Sequence, residues 1–185
     1  MLNYNSQANS NFTPKATLQM RLPSLITVLV LFYLSGCSNY EFTVNDRTVY
    51  DPTKFRRSLS FADAALTLCA KAVAAESNIT AAGQLLQLQC GPGEIINLSG
   101  LSIFHQLESL GLSHNQIENI SEIAKLEKLK HIDLSNNKLL DVSLLAQLPE
   151  LELVNLKGNT ELHCETTLAL VKPSLELQLP KHCQK

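Results

Sequence analysis

The sequence predicts an α/β solenoid: a short array of repeats sharing one parallel sheet, with a helical cap at its start and a disulfide cap at its end. Three observations predict it. Apolar residues recur with a period of 22 across residues 85–160. Asn occupies the same place in three successive periods, at Asn115, Asn137 and Asn159. Four cysteines flank the array, Cys69 and Cys90 at its start and Cys164 and Cys183 at its end.

From residue 107 the chain reads LESLGLSHNQIENISEIAKLEK, then LKHIDLSNNKLLDVSLLAQLPE, then LELVNLKGNT. Stacked at 22, Leu107, Leu129 and Leu151 share a column, as do Leu110, Ile132 and Val154, and Leu112, Leu134 and Leu156. One period earlier the same template falls on Leu85, Leu88, Cys90, Ile95, Leu98, Leu101 and Phe104, with Gly93 in place of the Asn. Terminal repeats are commonly atypical. Later, SLELQLP reads as a last strand, with Leu175 and Leu177 aligned to Val154 and Leu156 at a spacing of 21. A coiled-coil heptad does not fit, because the apolar spacing and the recurring Asn are wrong for it.

This pattern resembles the leucine-rich repeat of the 22-residue, internalin-like type, closely over residues 85–160 and loosely over 161–180. Physical chemistry explains the columns. Each Leu-x-x-Leu-x-Leu stretch turns alternate side chains inward from a short strand. The strands pair in parallel, and no repeat buries its core without its neighbours. The Asn amide, with two donor hydrogens and an acceptor oxygen, serves backbone groups inside the turn. Ile120, Ile123 and Leu126 then return along the convex side as 3₁₀ turns.

The stretch SLSFADAALTLCAKAVAAE reads as the N-terminal cap. Ser60 with Asp63 forms a variant capping box. Phe61, Ala65, Leu68, Cys69 and Ala72 form the apolar face. Four cysteines allow three pairings. Cap logic selects Cys69–Cys90, which rivets helix to first repeat, and Cys164–Cys183, which closes the far end. The rival is zinc at His163-Cys164 and His182-Cys183. Adjacent residues seldom converge on one ion, and an exported domain favours the disulfide, so no metal and no cofactor are expected.

A fifth cysteine gives the address. Residues 1–36 contain no acid, and Arg21 precedes an apolar run from Leu25 to Leu34 that ends Leu34-Ser35-Gly36-Cys37. The layout is that of a secretory signal, too short to span a bilayer comfortably. Its end resembles the lipobox of bacterial lipoproteins. That resemblance implies cleavage before Cys37 and acyl chains on Cys37 as a membrane anchor, with Ser38 favouring the outer membrane. Met20 is an alternative start. The domains then read 1–36 signal, 37–57 linker or small hairpin, 58–84 helical cap, 85–160 repeats and 161–185 last strand and C-terminal cap.

The working surface is expected on the concave face. Its outward positions include Gln87, Gln89 and Gly91, then Ser109, Gly111 and Ser113, then His131, Asp133 and Ser135, then Leu153, Asn155 and Lys157. The formal charge of −2 excludes a general nucleic-acid surface. Asp133 sits between His131 and Ser135, the wrong order for a Ser-His-Asp relay, and alternate strand residues point in parallel rather than converging. The expectation is a non-enzymatic envelope lipoprotein that binds another protein. The alternatives are an assembly factor of an envelope complex and, more remotely, a hydrolase using Ser109 and His131.

Overall fold

A computed structural model describes residues 42–184 apart from 45, 46 and 52. Cys37 and the apolar run before it lie outside the described residues. Two short antiparallel strands open this part, β1 (Phe42–Val44) and β2 (Arg47–Tyr50), with Val44 opposite Arg47. The basic stretch beyond them is a short helix, α1 (Lys54–Ser58), with none of its residues buried. Asp51 stands before it, accepting from Thr53 N at 2.8 Å and from the Arg57 guanidinium.

The capping helix, α2, spans Ala64–Glu76. Its start corrects the sequence reading. Asp63, not Ser60, is the N-cap, and its Oδ1 accepts from Leu66 N at 3.0 Å. Its Oδ2 accepts from Ile96 N at 2.9 Å and Asn97 N at 3.1 Å. One carboxylate therefore caps the helix and pins it to the first repeat. The buried face also differs: Leu66, Ala70 and Ala74 are fully enclosed, whereas Leu68 is 70% exposed and Ala72 is exposed. Phe61, Ala65 and Cys69 border that face and pack on the core. Phe61 meets Phe104 with ring centroids 5.9 Å apart.

Five parallel strands follow in sequence order: β3 (Gln87–Gln89), β4 (Ser109–Gly111), β5 (His131–Asp133), β6 (Leu153–Asn155) and β7 (Glu176–Gln178). From β3 to β6 the register advances by 22: Leu88 pairs with Leu110, Leu110 with Ile132, and Ile132 with Val154. All four are buried, each being the inward-turned middle residue of its three-residue strand. The last step is 23 residues, not 21. Val154 pairs with Leu177, so Leu177 and Leu179, rather than Leu175 and Leu177, continue the inward columns. The two spacings differ by one pleat period, so the error kept the correct face.

The chain returns on the opposite side through 3₁₀ turns, Leu101–Ile103, Ile123–Lys125, Ser143–Gln147 and Cys164–Leu170. Each of the first three is entered by a side-chain turn: Asn97 accepts from Ser99 N, Asn119 from Ser121 N and Asp141 from Ser143 N, at 2.8, 2.8 and 2.7 Å. This Asn/Asp-x-Ser column is a second polar ladder that the Leu spacing did not reveal. Glu122 ties neighbouring turns together. It accepts from Ser102 Oγ at 2.8 Å and from Lys125, and these partners hold its carboxyl down to about 2.

Disulfides join Cys69 to Cys90 and Cys164 to Cys183, the pairs selected by cap logic. Among the described residues no helix is long and apolar enough to cross a membrane.

Candidate functional site

The three Asn residues explain why this stack holds its shape. Asn137 Nδ2 donates to Leu112 O at 2.9 Å, Leu134 O at 3.0 Å and Ser135 O at 3.3 Å, while Oδ1 accepts from Ile117 N at 3.0 Å. Asn115 repeats the pattern with Cys90 O, Leu112 O, Ser113 O and Ile95 N. Asn159 repeats it with Leu134 O, Leu156 O and Leu139 N. Each amide thus reaches its own turn and the preceding repeat. Among the described residues no buried side-chain N or O lacks a partner. The interior is polar where it must be, and the Asn ladder meets those groups there.

That face has three rows, and the structure sorts the expected contact residues into unequal groups. In the first row, strand pairing places Ser109 beside His131, and His131 beside Leu153. His131 is exposed, with Nε2 3.6 Å from Glu152 Oε2. Leu153 is half-buried, so it is part of the floor rather than a protruding anchor. In the second row, Gly111 is buried. The Gln89 amide lies over it, in the space a side chain there would fill. Asp133 Oδ1 accepts from Ser135 N at 2.9 Å, and Asn155 Oδ1 from Lys157 N at 3.2 Å. Both side chains brace the turn leaving their strand.

In the third row Ser135 is only 6% exposed and drops out as a contact residue; Ser113 is half-buried and Lys157 is exposed. The face also extends further than the sequence reading allowed. Glu176 and Gln178 of β7 continue the first two rows, with Gln178 Nε2 2.8 Å from Glu176 Oε1. The 23-residue step hid them.

No relay joins Ser109, His131 and Asp133 among the described residues. The Asp133 carboxylate bonds the Ser135 backbone, and the acid facing His131 is Glu152. Cys164, His182 and Cys183 do bring donor atoms within 4.8 Å of one another. Both sulfurs are bonded to each other, however, and His182 Nε2 lies 2.9 Å from Leu162 O, so these atoms already serve the cap.

A strand and a 3₁₀ return in each period, with an Asn turn in the three central ones, decide the architecture. The chain carries a leucine-rich-repeat array. The family model for Leucine Rich repeats (2 copies) matches residues 105–146. Among solved structures, an internalin of Listeria monocytogenes, InlF, is 19% identical, aligned over 68% of this chain and 45% of its own, with a TM-score of 0.46. Internalin C2 of the same strain is 21% identical over 68% of each chain, with a TM-score of 0.41. The repeat protein described here therefore spans less than half the length of the InlF structure. No curated protein matches it in sequence.

Proposed function

We propose that the leucine-rich-repeat domain binds another protein across the outward face of its sheet, and that acyl chains on Cys37 hold it at the outer membrane of the cell envelope. The observation that carries the binding reading is the division of labour just described. Interior polar groups are met by the Asn ladder, while the outward face is a bed of small and polar side chains with His131 and Lys157 standing exposed. A solenoid whose sheet face is uncovered among the described residues suits recognition by side-chain complementarity. The contact residues are Ser109, Ser113, His131, Asp133, Leu153, Asn155 and Lys157, with Gly111 as floor.

The test is in-cell photo-crosslinking from position 131, with Lys125 on the opposite 3₁₀ side as control. A discrete adduct from 131, absent from 125, supports the reading, as does an adduct from a probe at 109 that is lost when His131→Ala is added to the folded variant. Equal labelling from 131 and 125 would sink it. For the anchor, Cys37→Ser is expected to move the protein from the membrane fraction to the soluble fraction and to abolish incorporation of a labelled fatty acid. Unchanged fractionation and labelling would refute acylation at Cys37.

A further inference from the structure

The Asn ladder has two ends, and they are finished differently. At the start stands Gly93, where a Cβ would come within 2.9 Å of Asn115 Oδ1. At the far end the 23-residue step carries the Asn column from Asn159 onto His182. His182 reaches Leu162 O through one ring nitrogen, whereas the Asn159 side chain makes three hydrogen bonds. The last turn is correspondingly less filled. A cavity of about 570 Å³ opens between the turn after β6 and the final 3₁₀ turn, Lys181–Cys183. Its size falls in the range of ligand sites, roughly 300–1,000 Å³.

The chemistry of the lining is one-sided. Lys157, Lys181 and His182 contribute the basic ends, Thr160 and Gln184 neutral polar groups, Leu179 and Pro180 the apolar wall, and among the described residues no carboxylate lines it. Neither lysine has an ion pair among the described residues, although Lys125, Lys128 and Lys130 all do. Two ammonium groups beside an apolar wall attract an anion more strongly than they would in open water.

We propose that this cavity takes an acidic peptide segment of the partner protein, with a carboxylate between Lys157 and Lys181 and a neighbouring apolar side chain on Leu179 and Pro180. The inference rests on the binding face proposed above, because Lys157 ends the third row of that face and also lines the cavity. One continuous surface thus runs from the sheet into the C-terminal cap.

The experiment uses the full chain, ¹⁵N-labelled, with the peptide acetyl-Leu-Glu-Leu-Glu-Leu-amide as probe and its Gln-for-Glu isostere as control. The acidic peptide is expected to shift the amides of Thr160, Lys181 and Gln184 saturably and to bind at least about tenfold more tightly than the isostere. The double variant Lys157→Gln/Lys181→Gln should lose that preference while its other amide resonances stay in place. Equal binding of the isostere, shifts confined elsewhere, or binding of phosphatidylglycerol vesicles in place of the peptide would each overturn the assignment. Crosslinking from 131 separates the two readings. Peptide binding without capture at 131 sinks the sheet-face reading alone, and capture at 131 without peptide binding sinks this site alone.

Discussion

The two ends of the array meet the same problem by different means. A stack of strands exposes a core at each end that needs a cover. At the N-terminal end the cover is a 13-residue helix whose Leu66, Ala70 and Ala74 sink fully into the core. The Asp63 carboxylate and Cys69–Cys90 bond it to the first repeat. At the C-terminal end there is a 3₁₀ turn, a disulfide, a single histidine contact and a cavity. A helix has enough apolar surface to replace a missing repeat, whereas a few residues of 3₁₀ turn do not. The first end is therefore built for closure, and the second keeps surface available for contact.

Removing the disulfides one at a time tests that contrast most strongly. The bridges close loops with sequence separations of 21 and 19, so loss of chain entropy alone predicts nearly equal effects of about 3 kcal/mol each. Cys90 is 5% exposed, while Cys164 and Cys183 are half-buried. Cys69→Ala/Cys90→Ala should therefore lower stability in urea unfolding by more than Cys164→Ala/Cys183→Ala. The reverse order would contradict the account of the two caps.

Between the caps, Asn137→Leu should cost about 1–3 kcal/mol, because it strips partners from backbone groups in two repeats at once. His182→Leu, at the same column of the open end, removes one contact and should cost visibly less in the same denaturation series. Equal losses would show that ladder position does not matter.

The smallest effect probes the closed end. Burial raises the Asp63 carboxyl, but the backbone N–H groups of Ile96, Leu66 and Asn97 outweigh it and hold the group below the usual aspartate range. A folded-state value below the unfolded one means that the ionised form stabilises the fold. That contribution is complete above about pH 4 and fades as pH falls through the lowered value. Asp63→Asn should keep the cap but weaken the charge-assisted bonds to Ile96 and Asn97, lowering stability at pH 7, and the gap to the parent protein should close in acid. A gap that is constant down to pH 2.5 would assign the loss to something other than the charge.

Some of these features were legible in the residues and some were not. The strand columns and the Asn ladder follow from periodicity, since a repeat must present the same face at every turn. The apolar face of α2 did not. A helix reading AALTLCAKAVAA is apolar almost all the way round, so no stripe in the sequence singles out Leu66 over Leu68. The Asn97, Asn119 and Asp141 column recurs at 22 and was visible in principle, but turn residues carry no hydrophobic signal to draw attention to them.

By itself, then, the sequence determined the repeat unit, the inward columns, the hydrogen-bonding Asn at the three central turns and the cysteines available to close the ends. The columns and the Asn turns are local demands of strand pleat and buried backbone, repeated from one central period to the next. Only the tertiary structure decided the 23-residue final step, the burial of Gly111 and Ser135, the bracing of Asp133 against its own turn, and the cavity beside His182. Each depends on what the neighbouring repeat does or does not supply, and at the end of the stack there is no further repeat to supply it.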